Sequence, residues 1–291
     1  MILKYSKEFT KHSILNVCCI SRQGFRKNIS PKESLVLQVC HVVNEARKVG
    51  KRMGARAIFH TYGVDFVGIN KFERIVAKQG LNVPALKRRY IKTTHPMYEL
   101  DDQNLINGLV LNGSRQVIAG DITYVPLSNI TYYIFTLKDA YSGLILSLHV
   151  ADNMKAKEVL HALKEALKED MPENFVGTIH HTDAGSQYKS NAYKKRLAKL
   201  EMKMSIAENC LENGMAEQLN GLVKNDYLVI TNQTTLTQFR KQLKKIKTFL
   251  NDVRKVKALG YKTPRAFESE QNQLPINKRK TKTLYDFTLT K

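Results

Sequence analysis

The sequence predicts an α/β protein in which a mixed sheet with flanking helices is preceded by an all-α region. Apolar residues recur at helical spacing between residues 31 and 80, short apolar runs of strand type begin at residue 117, and helical and strand patterns alternate after residue 150. Four segments follow from this division: a helical region 1–81, a basic linker 82–115, an α/β core with a C-terminal basic helix 116–268, and a basic tail 269–291.

Three short helices are predicted in the first region. Ser30 can cap the first helix, Pro31 suits its first position, and Glu33 completes a capping box. A second helix fits 55–62, and a third begins at a cap residue, Asn70, and ends near Gly80. Short helices joined by glycine turns and carrying exposed basic residues favour a helix-turn-helix-like DNA-binding region, with a plain helical bundle as the alternative.

The predicted core begins with three strands separated by turn-like residues. Helices and strands then alternate, which is typical of a sheet with helices on its faces. The predicted strands are 117–125, 131–137, 144–150, 176–180 and 202–205, and the predicted helices are 155–168, 191–200, one beginning near Glu217, and 235–251.

Positive charge is concentrated in the two flanks of the chain. The net charge is +21 overall, with +14 in residues 1–98, −4 in residues 99–230 and +11 in residues 231–291. Basic surfaces of this kind usually bind polyanions, because counterion release supplies affinity. A slightly acidic centre between two basic flanks therefore indicates nucleic acid as the partner.

Three acids stand out in the acidic centre. Asp121 lies inside a predicted strand, Asp183 follows another, and Glu217 is near the start of a predicted helix. An acid among apolar strand residues is costly to bury unless it is paired or holds a metal. If the three acids converge, their oxygens would suit Mg²⁺. On the helix of Glu217, Asn220, Lys224 and Asn213 are predicted to share the same face.

Other classes of protein are disfavoured by composition. The four cysteines show no paired C-x-x-C spacing. A zinc module is therefore not expected, and buried free thiols are the better interpretation. No stretch approaches the roughly 18 apolar residues of a membrane span, and the first residues lack a secretory signal. We expect a cytoplasmic, nucleoid-associated protein without a membrane partner.

The chain resembles the OrfB-type transposases of bacterial insertion sequences, which belong to the DDE retroviral-integrase superfamily with an RNase H-like core. The resemblance covers nearly the whole chain. It is carried by the motifs around the three acids, by a closing motif, and by an N-terminal turn: Asp121 to Tyr124, His181 to Tyr188, Asn213 to Glu217 with Lys224, Asn251 with Arg254, Leu259-Gly260, Thr263-Pro264, and Ser21 to Phe25.

The resemblance implies metal-dependent DNA strand cleavage and strand transfer at insertion-sequence ends. Asp121, Asp183 and Glu217 would be the catalytic residues and would hold two Mg²⁺ (or Mn²⁺) ions about 3.5–4 Å apart. The expected DNA contacts are Lys224, Asn220, Gln187, Tyr188, His181, Asn213 and Arg254. For His181 and Tyr188, simple packing or hydrogen bonding is an equally good interpretation.

Expected partners are double-stranded DNA, both transposon ends and target, further copies of the chain assembled on DNA, and a protein from an upstream reading frame. Two alternative functions remain open. An RNase H-type nuclease would share the core, and a domesticated or inactive transposase would act only as a DNA-binding protein.

Overall fold

The computed structural model describes residues 31–85, 103–169, 172–207 and 210–285. The chain divides into two compact units, residues 1–87 and 88–291. The predicted turn at 21–25 and residues 86–102 of the predicted basic linker lie outside the described residues. None of the helices within the described ranges is long and apolar enough to cross a membrane.

The described part of the first unit contains three helices, α1 (Pro31–Val49), α2 (Ala55–Thr61) and α3 (Ile69–Lys78). The predicted helices are therefore present, but α3 begins at Ile69 after Gly68, so Asn70 is not its cap. Apolar side chains from all three helices form the core of this unit: Val39, Val43, Ala46, Ile58, Phe72, Ile75 and Val76. Arg56, one of the predicted exposed basic residues, forms two hydrogen bonds with Glu73 across α2 and α3.

The second unit is built on a five-stranded mixed sheet with the order β4-β3-β2-β5-β6. Its strands are β2 (Val117–Pro126), β3 (Thr131–Asp139), β4 (Ile145–Ala151), β5 (Ile179–Thr182) and β6 (Lys203–Ile206). The first three form an antiparallel meander, and β5 and β6 add in parallel to β2. This is the α/β, RNase H-like arrangement predicted from the sequence.

Five α-helices accompany this sheet: α4 (Ala156–Ala166), α5 (Asn191–Lys199), α6 (Gly214–Leu222), α7 (Leu236–Thr248) and α8 (Pro264–Gln273). Shorter helical turns lie at Pro172–Phe175, Cys210–Asn213, Lys257–Leu259 and Ile276–Lys278, and α6 and α7 continue into π-helical turns at Val223–Tyr227 and Phe249–Val253. The apolar stripe of α7 is buried as predicted, through Phe239, Leu243, Ile246 and Leu250.

The fourth predicted strand, at 176–180, is displaced along the chain. Gly177 adopts a left-handed φ of 76° and Val176 is exposed, so the strand begins only at Ile179. Because β5 then ends at Thr182, Asp183 follows directly after its last residue. The second acid, Asp183, therefore lies at the end of β5.

The boundaries of the α/β unit are wider than predicted. β1 (Val110–Leu111), in the predicted linker, pairs with β7 (Lys282–Thr283), in the predicted tail. Ile106, Leu111 and Leu284 share a hydrophobic cluster with Tyr141 and Phe267. Burial of these apolar side chains explains why segments with a polar, basic composition are nevertheless part of the folded unit.

Candidate active site

Two of the three acids are brought together by the parallel pairing of β2 and β5. The register places Ala119 opposite His181. Asp121 and Asp183 each follow two residues later in the same direction, so these neighbouring strands bring the two carboxylates side by side. Asp121 remains inside β2, whereas Asp183 lies just beyond the end of β5.

The third acid is delivered by α6, which packs on β2 and β3. Asn213, just before α6, donates from Nδ2 to the Gly120 carbonyl oxygen over 3.0 Å, and Asn220 donates from Nδ2 to Asp121 Oδ2 over 2.6 Å. Both asparagines are buried. These two hydrogen bonds fix α6 against β2, and Glu217 lies between them on the exposed side of the helix.

Gly120 allows this part of β2 to lie close to β5 and β3. A β-carbon at residue 120 would come within 2.9 Å of His180 Nε2 and 3.0 Å of Leu137 Cδ2. A larger residue would therefore displace either the buried histidine or the strand that carries Asp121. The glycine belongs to the support of the site.

The pKa of the Asp121 carboxyl is shifted further than the pKa values of the other two acids. Burial, together with the negative charges of Asp183 and Glu217, raises its pKa to about 7 against the opposing hydrogen bonds from the Ile122 backbone and Asn220. The three acids therefore influence one another's charge even though they lie far apart along the chain. An added cation would relieve this repulsion.

Asp183 and Glu217 respond in the same direction. Burial raises the pKa of Asp183, which also accepts a hydrogen bond from the Gly185 N–H over 3.2 Å. Partial burial and the charge of Asp183 raise the pKa of Glu217. A β-carbon on Gly185 would lie 2.9 Å from Asp183 Oδ1, so glycine at this position lets the backbone amide approach the acid.

Lys224 supplies a positive charge near the three acids. It lies in the π-helical turn after α6, half-buried, with its Nζ 5.7 Å from the centre of the Tyr124 ring. Burial lowers the pKa of Lys224, and the charge of Asp121 opposes that effect. Lys224 therefore lies within electrostatic reach of Asp121, and its contact with DNA stays a prediction.

Four of the predicted DNA contacts are instead buried supports of the site. Tyr188 packs against the rings of His180 and Tyr193, and His181 Nδ1 lies 2.9 Å from the Ser205 hydroxyl. Asn213 and Asn220 donate their side-chain hydrogen bonds to Gly120 and Asp121 of β2. Less than a tenth of each of these four residues is exposed, so direct contact with DNA does not fit their positions.

The other two predicted contacts remain half-exposed. Gln187 follows Asp183 in the loop that leads to α5, and its side-chain oxygen would lie 3.2 Å from a β-carbon on Gly185. Arg254 follows the π-helical turn after α7, and its charge lowers the pKa of Lys138 together with burial and Lys282. Both residues are open to a role with DNA, which stays a prediction.

The donor set fits a divalent metal in its chemistry. Three carboxylates, each with a raised pKa, are oxygen ligands of the type that Mg²⁺ prefers. Their oxygens do not all lie within 4.8 Å of one another, a condition that in the described ranges only His149, Glu158 and His161 meet. Two ions about 3.5–4 Å apart would not need it, because ligands at opposite ends hold different ions.

The sequence did not predict the buried supporting roles of two residues. Glu212 is buried and accepts from Asn104 Nδ2 over 2.6 Å, which links the turn before α6 to residue 104. Asn251 is fully buried and exchanges two 2.9 Å hydrogen bonds with the Ile145 backbone at the start of β4. A polar residue in an otherwise apolar helical stripe was the available signal for Asn251.

A sheet of this order, with carboxylates on β2, after β5 and on α6, defines the class of RNase H-like enzymes that act on nucleic-acid phosphodiesters. Comparison with known families agrees. Two models, each described as an integrase core domain, match residues 112–209 and 198–264. The chain belongs to the integrase core family, as an insertion-sequence transposase of the DDE superfamily.

Individual relatives are transposases from bacteria. The chain is 26% identical to the transposase for insertion sequence element IS904 of Lactococcus lactis, over 72% of this chain and 84% of that protein. It is 32% identical to the transposase for IS629 of Shigella sonnei, over 52% of this chain and 51% of that protein. Among solved structures, it is similar to the HTLV-2 integrase catalytic core domain, with 18% identity, a TM-score of 0.41, and coverage of 56% and 99% respectively.

Proposed function

We propose that this protein cleaves DNA at the ends of an insertion sequence and joins those ends to target DNA, with divalent metal held by Asp121, Asp183 and Glu217. The observation that carries the proposal is the geometry of the three acids: the parallel register of β2 and β5 brings Asp121 and Asp183 side by side, and the hydrogen bonds of Asn213 and Asn220 hold the helix of Glu217 against β2. Relatives named as transposases for insertion sequences support the same reaction.

The chemistry of the site needs no nucleophilic side chain. When bound, Mg²⁺ or Mn²⁺ would supply Lewis-acid polarisation of the phosphodiester and a more acidic water or 3′-hydroxyl. Asp121, Asp183 and Glu217 provide the oxygen ligands. Asn220 orients the Asp121 carboxylate through its 2.6 Å hydrogen bond, and the Gly185 amide orients Asp183.

Lys224 is the residue best placed to meet a phosphate beside the acids. Its half-buried ammonium is attracted by Asp121 and rests near the Tyr124 ring. A lysine in this position can pair with a non-bridging phosphate oxygen and hold the scissile group against the acids. We assign it a role in binding and orientation.

The basic helix α7 contributes to the fold as well as to the predicted DNA surface. Arg240 donates to the Val150 carbonyl, and Lys247 donates to the Leu146 carbonyl and pairs with Glu169, so these two cations are occupied with β4 and its surroundings. Lys241, Lys244 and Lys245 are exposed on the same helix. We propose that these three contact DNA phosphates without reading sequence.

End recognition is proposed for the helical unit, in keeping with the charge of residues 1–98 and its helix-turn-helix-like pattern. Synapsis of two DNA ends would further require more than one copy of the chain, so we propose a homo-oligomer on DNA. Both assignments extend the proposed reaction and depend on it.

The test is strand transfer with DNA carrying the element's terminal repeats, in Mg²⁺ and in Mn²⁺. Asp183→Ala should reduce both cleavage and joining by at least about 1,000-fold, because it removes several kcal/mol of metal-mediated stabilisation of the transition state. DNA binding at moderate salt should remain. Asp152→Ala, which removes an exposed acid bonded only locally to Asn153 in the described contacts, is the matched control and should stay active.

Two outcomes would reject the proposal. Full strand transfer by Asp183→Ala would remove the acid from the reaction. Cleavage of RNA–DNA hybrids by the unaltered protein, without any joining of DNA ends, would replace the transposase with an RNase H-type nuclease.

A further inference from the structure

A second cluster of metal-ligating side chains lies at the edge of the sheet formed by β4, where α4 packs on this strand. His149 of β4 places Nε2 2.9 Å from Glu158 Oε2 of α4. His161, three residues along α4, places Nδ1 3.3 Å from the same oxygen. The three ligand atoms all lie within 4.8 Å of one another.

These separations suit a tetrahedral metal. Ligand atoms about 2.0–2.2 Å from a zinc ion at tetrahedral angles are about 3.4 Å apart. The two measured separations, 2.9 and 3.3 Å, are close to that value, so a metal could enter with small side-chain movements. Two imidazoles and one carboxylate also match borderline transition metals better than Mg²⁺, which prefers oxygen ligands throughout.

The His149 ring is held through its second nitrogen, as the rings of metal-binding histidines are. Nδ1 lies 3.2 Å from Glu165 Oε1, and Glu165 Oε2 accepts a 2.9 Å hydrogen bond from the Ser147 hydroxyl. A carboxylate that accepts from one imidazole nitrogen fixes the tautomer whose other nitrogen can bind a metal. Glu165 is on α4, so the helix supplies both a ligand and its support.

The cluster is buried on the side of His149 and Glu158 and open to solvent at His161. The side chains of His149 and Glu158 are 8% and 7% exposed, whereas that of His161 is 57% exposed. The His149 ring also packs on Phe135 and meets the His161 ring edge to face at 5.6 Å. Lys157 Nζ lies 3.6 Å from the other oxygen of Glu158, but its side chain is mostly exposed and free to turn away.

We propose that His149, Glu158 and His161 form a binding site for Zn²⁺ or a similar transition metal, with the fourth position open to water. Glu165 is the positioning residue that orients His149. The site is separate from the three acids in sequence and in donor chemistry, and it does not depend on the proposed function. A bound metal would join α4 to the edge strand β4 and stabilise the unit through linkage.

The experiment measures Zn²⁺ binding to the full chain by calorimetry, its effect on the melting temperature, and the visible absorption of the Co²⁺-loaded protein. The unaltered chain should bind zinc, melt at a higher temperature with it, and give the intense bands of tetrahedral Co²⁺. His161→Ala should bind one zinc ion fewer, lose the tetrahedral Co²⁺ bands and still fold, because the side chain is largely exposed. His60→Ala, in the helical unit, is the matched control and should leave them unchanged.

Two further variants separate ligation from structure. His161→Cys retains a metal ligand and should restore zinc binding. Glu165→Gln should weaken zinc binding by about 10- to 100-fold, as expected for a group that supports a ligand, while the Co²⁺ spectrum keeps its tetrahedral form. Asp183→Ala should keep the tetrahedral Co²⁺ bands of the unaltered chain, since that acid belongs to the other site.

The proposal is overturned if His161→Ala binds zinc as well as the unaltered chain does, or if zinc leaves the melting temperature of the unaltered chain unchanged. In the second case the cluster is only an ion pair, in which a proton on His149 joins two carboxylates. An octahedral Co²⁺ spectrum that disappears in Asp183→Ala would place the metal at the acids and would equally reject the site.

Discussion

Two aspartates of the same sheet, Asp121 in β2 and Asp139 at the end of β3, are buried in opposite electrostatic surroundings. Asp139 is completely buried and accepts three hydrogen bonds of 2.7 to 2.8 Å, one from the Arg115 N–H and two from Ser142, with Arg115 Nη1 3.4 Å away. Arg115 in turn forms two 3.0 Å hydrogen bonds with Glu268 of α8. The negative charge of Asp139 is thus compensated within the fold.

Asp121 lacks this compensation. It has the side-chain bond from Asn220 and a backbone bond at Ile122, but two further carboxylates face it, and its pKa is about 7. Buried charge that the fold does not neutralise is a sign of a site that awaits a cation, whereas a fully bonded acid indicates a structural role. The difference supports the proposed metal-binding role of Asp121, whereas Asp139 is bonded in the way of a structural acid.

The largest expected effect on stability follows from Asp139→Asn. The amide NH₂ would face groups that already donate, and Arg115 would lose one of its two acidic partners. We expect a loss of about 4 kcal/mol in the free energy of unfolding, measured by urea denaturation. Asp121→Asn is the matched comparison and should unfold at the same or a higher urea concentration, because it removes repulsion.

If Asp139→Asn were as stable as the unaltered chain and Asp121→Asn were strongly destabilised, the assignment of the two roles would be reversed. Activity provides a second distinction. Asp121→Asn should lose strand transfer while folded, and Asp139→Asn should lose it only to the extent that it unfolds.

The sequence was sufficient to place the three acids on their elements, because each lies in a recognisable local pattern. Asp121 interrupts an apolar strand, Asp183 follows one, and Glu217 opens a helix, so strand and helix periodicity placed all three at the correct elements. The sheet with its flanking helices was predicted for the same reason. What brings Asp121 beside Asp183 is the parallel register of β2 and β5, which a non-local pairing decides.

Contacts between distant segments explain what could not be predicted. The Arg115–Glu268 pair joins residues 153 positions apart, and the β1–β7 pair joins the predicted linker to the predicted tail. The resemblance predicts Asn213, Asn220 and Tyr188 as DNA contacts, but all three are buried, and burial depends on the complete fold. Local composition carries no information about which polar side chains will be covered.

The pH dependence of stability tests the uncompensated charge of Asp121. Its pKa in the folded chain is about 7, above the value of about 3.9 for an unfolded aspartate, so the folded chain binds more protons between these values. Stability without metal should therefore be greatest below about pH 4 on account of this group and fall as the pH rises through 7. We expect a loss on the order of 2 kcal/mol between about pH 5 and pH 8.

Other titrating groups require a control for this measurement. Burial lowers the pKa of His180 to about 3 and that of His181 to about 4, so their contribution runs the other way and is lost as the pH falls below about 6.5. The difference between the unaltered chain and Asp121→Asn isolates the acid. Mg²⁺ should stabilise the unaltered chain more at pH 8 than at pH 5; an equal effect at both would argue against metal at Asp121.

The smallest expected effect belongs to Asn220→Ala, which removes the side-chain hydrogen bond to Asp121. The loss of stability should be about 1 kcal/mol, and the Mg²⁺ concentration needed for half-maximal cleavage should rise about 10-fold, because the carboxylate is no longer oriented. Affinity for DNA measured without metal should be unchanged, whereas Lys224→Ala should lower it. If Asn220→Ala weakened DNA binding and left the Mg²⁺ dependence unaltered, Asn220 would be a DNA contact, and its burial beside Asp121 would not describe the active complex.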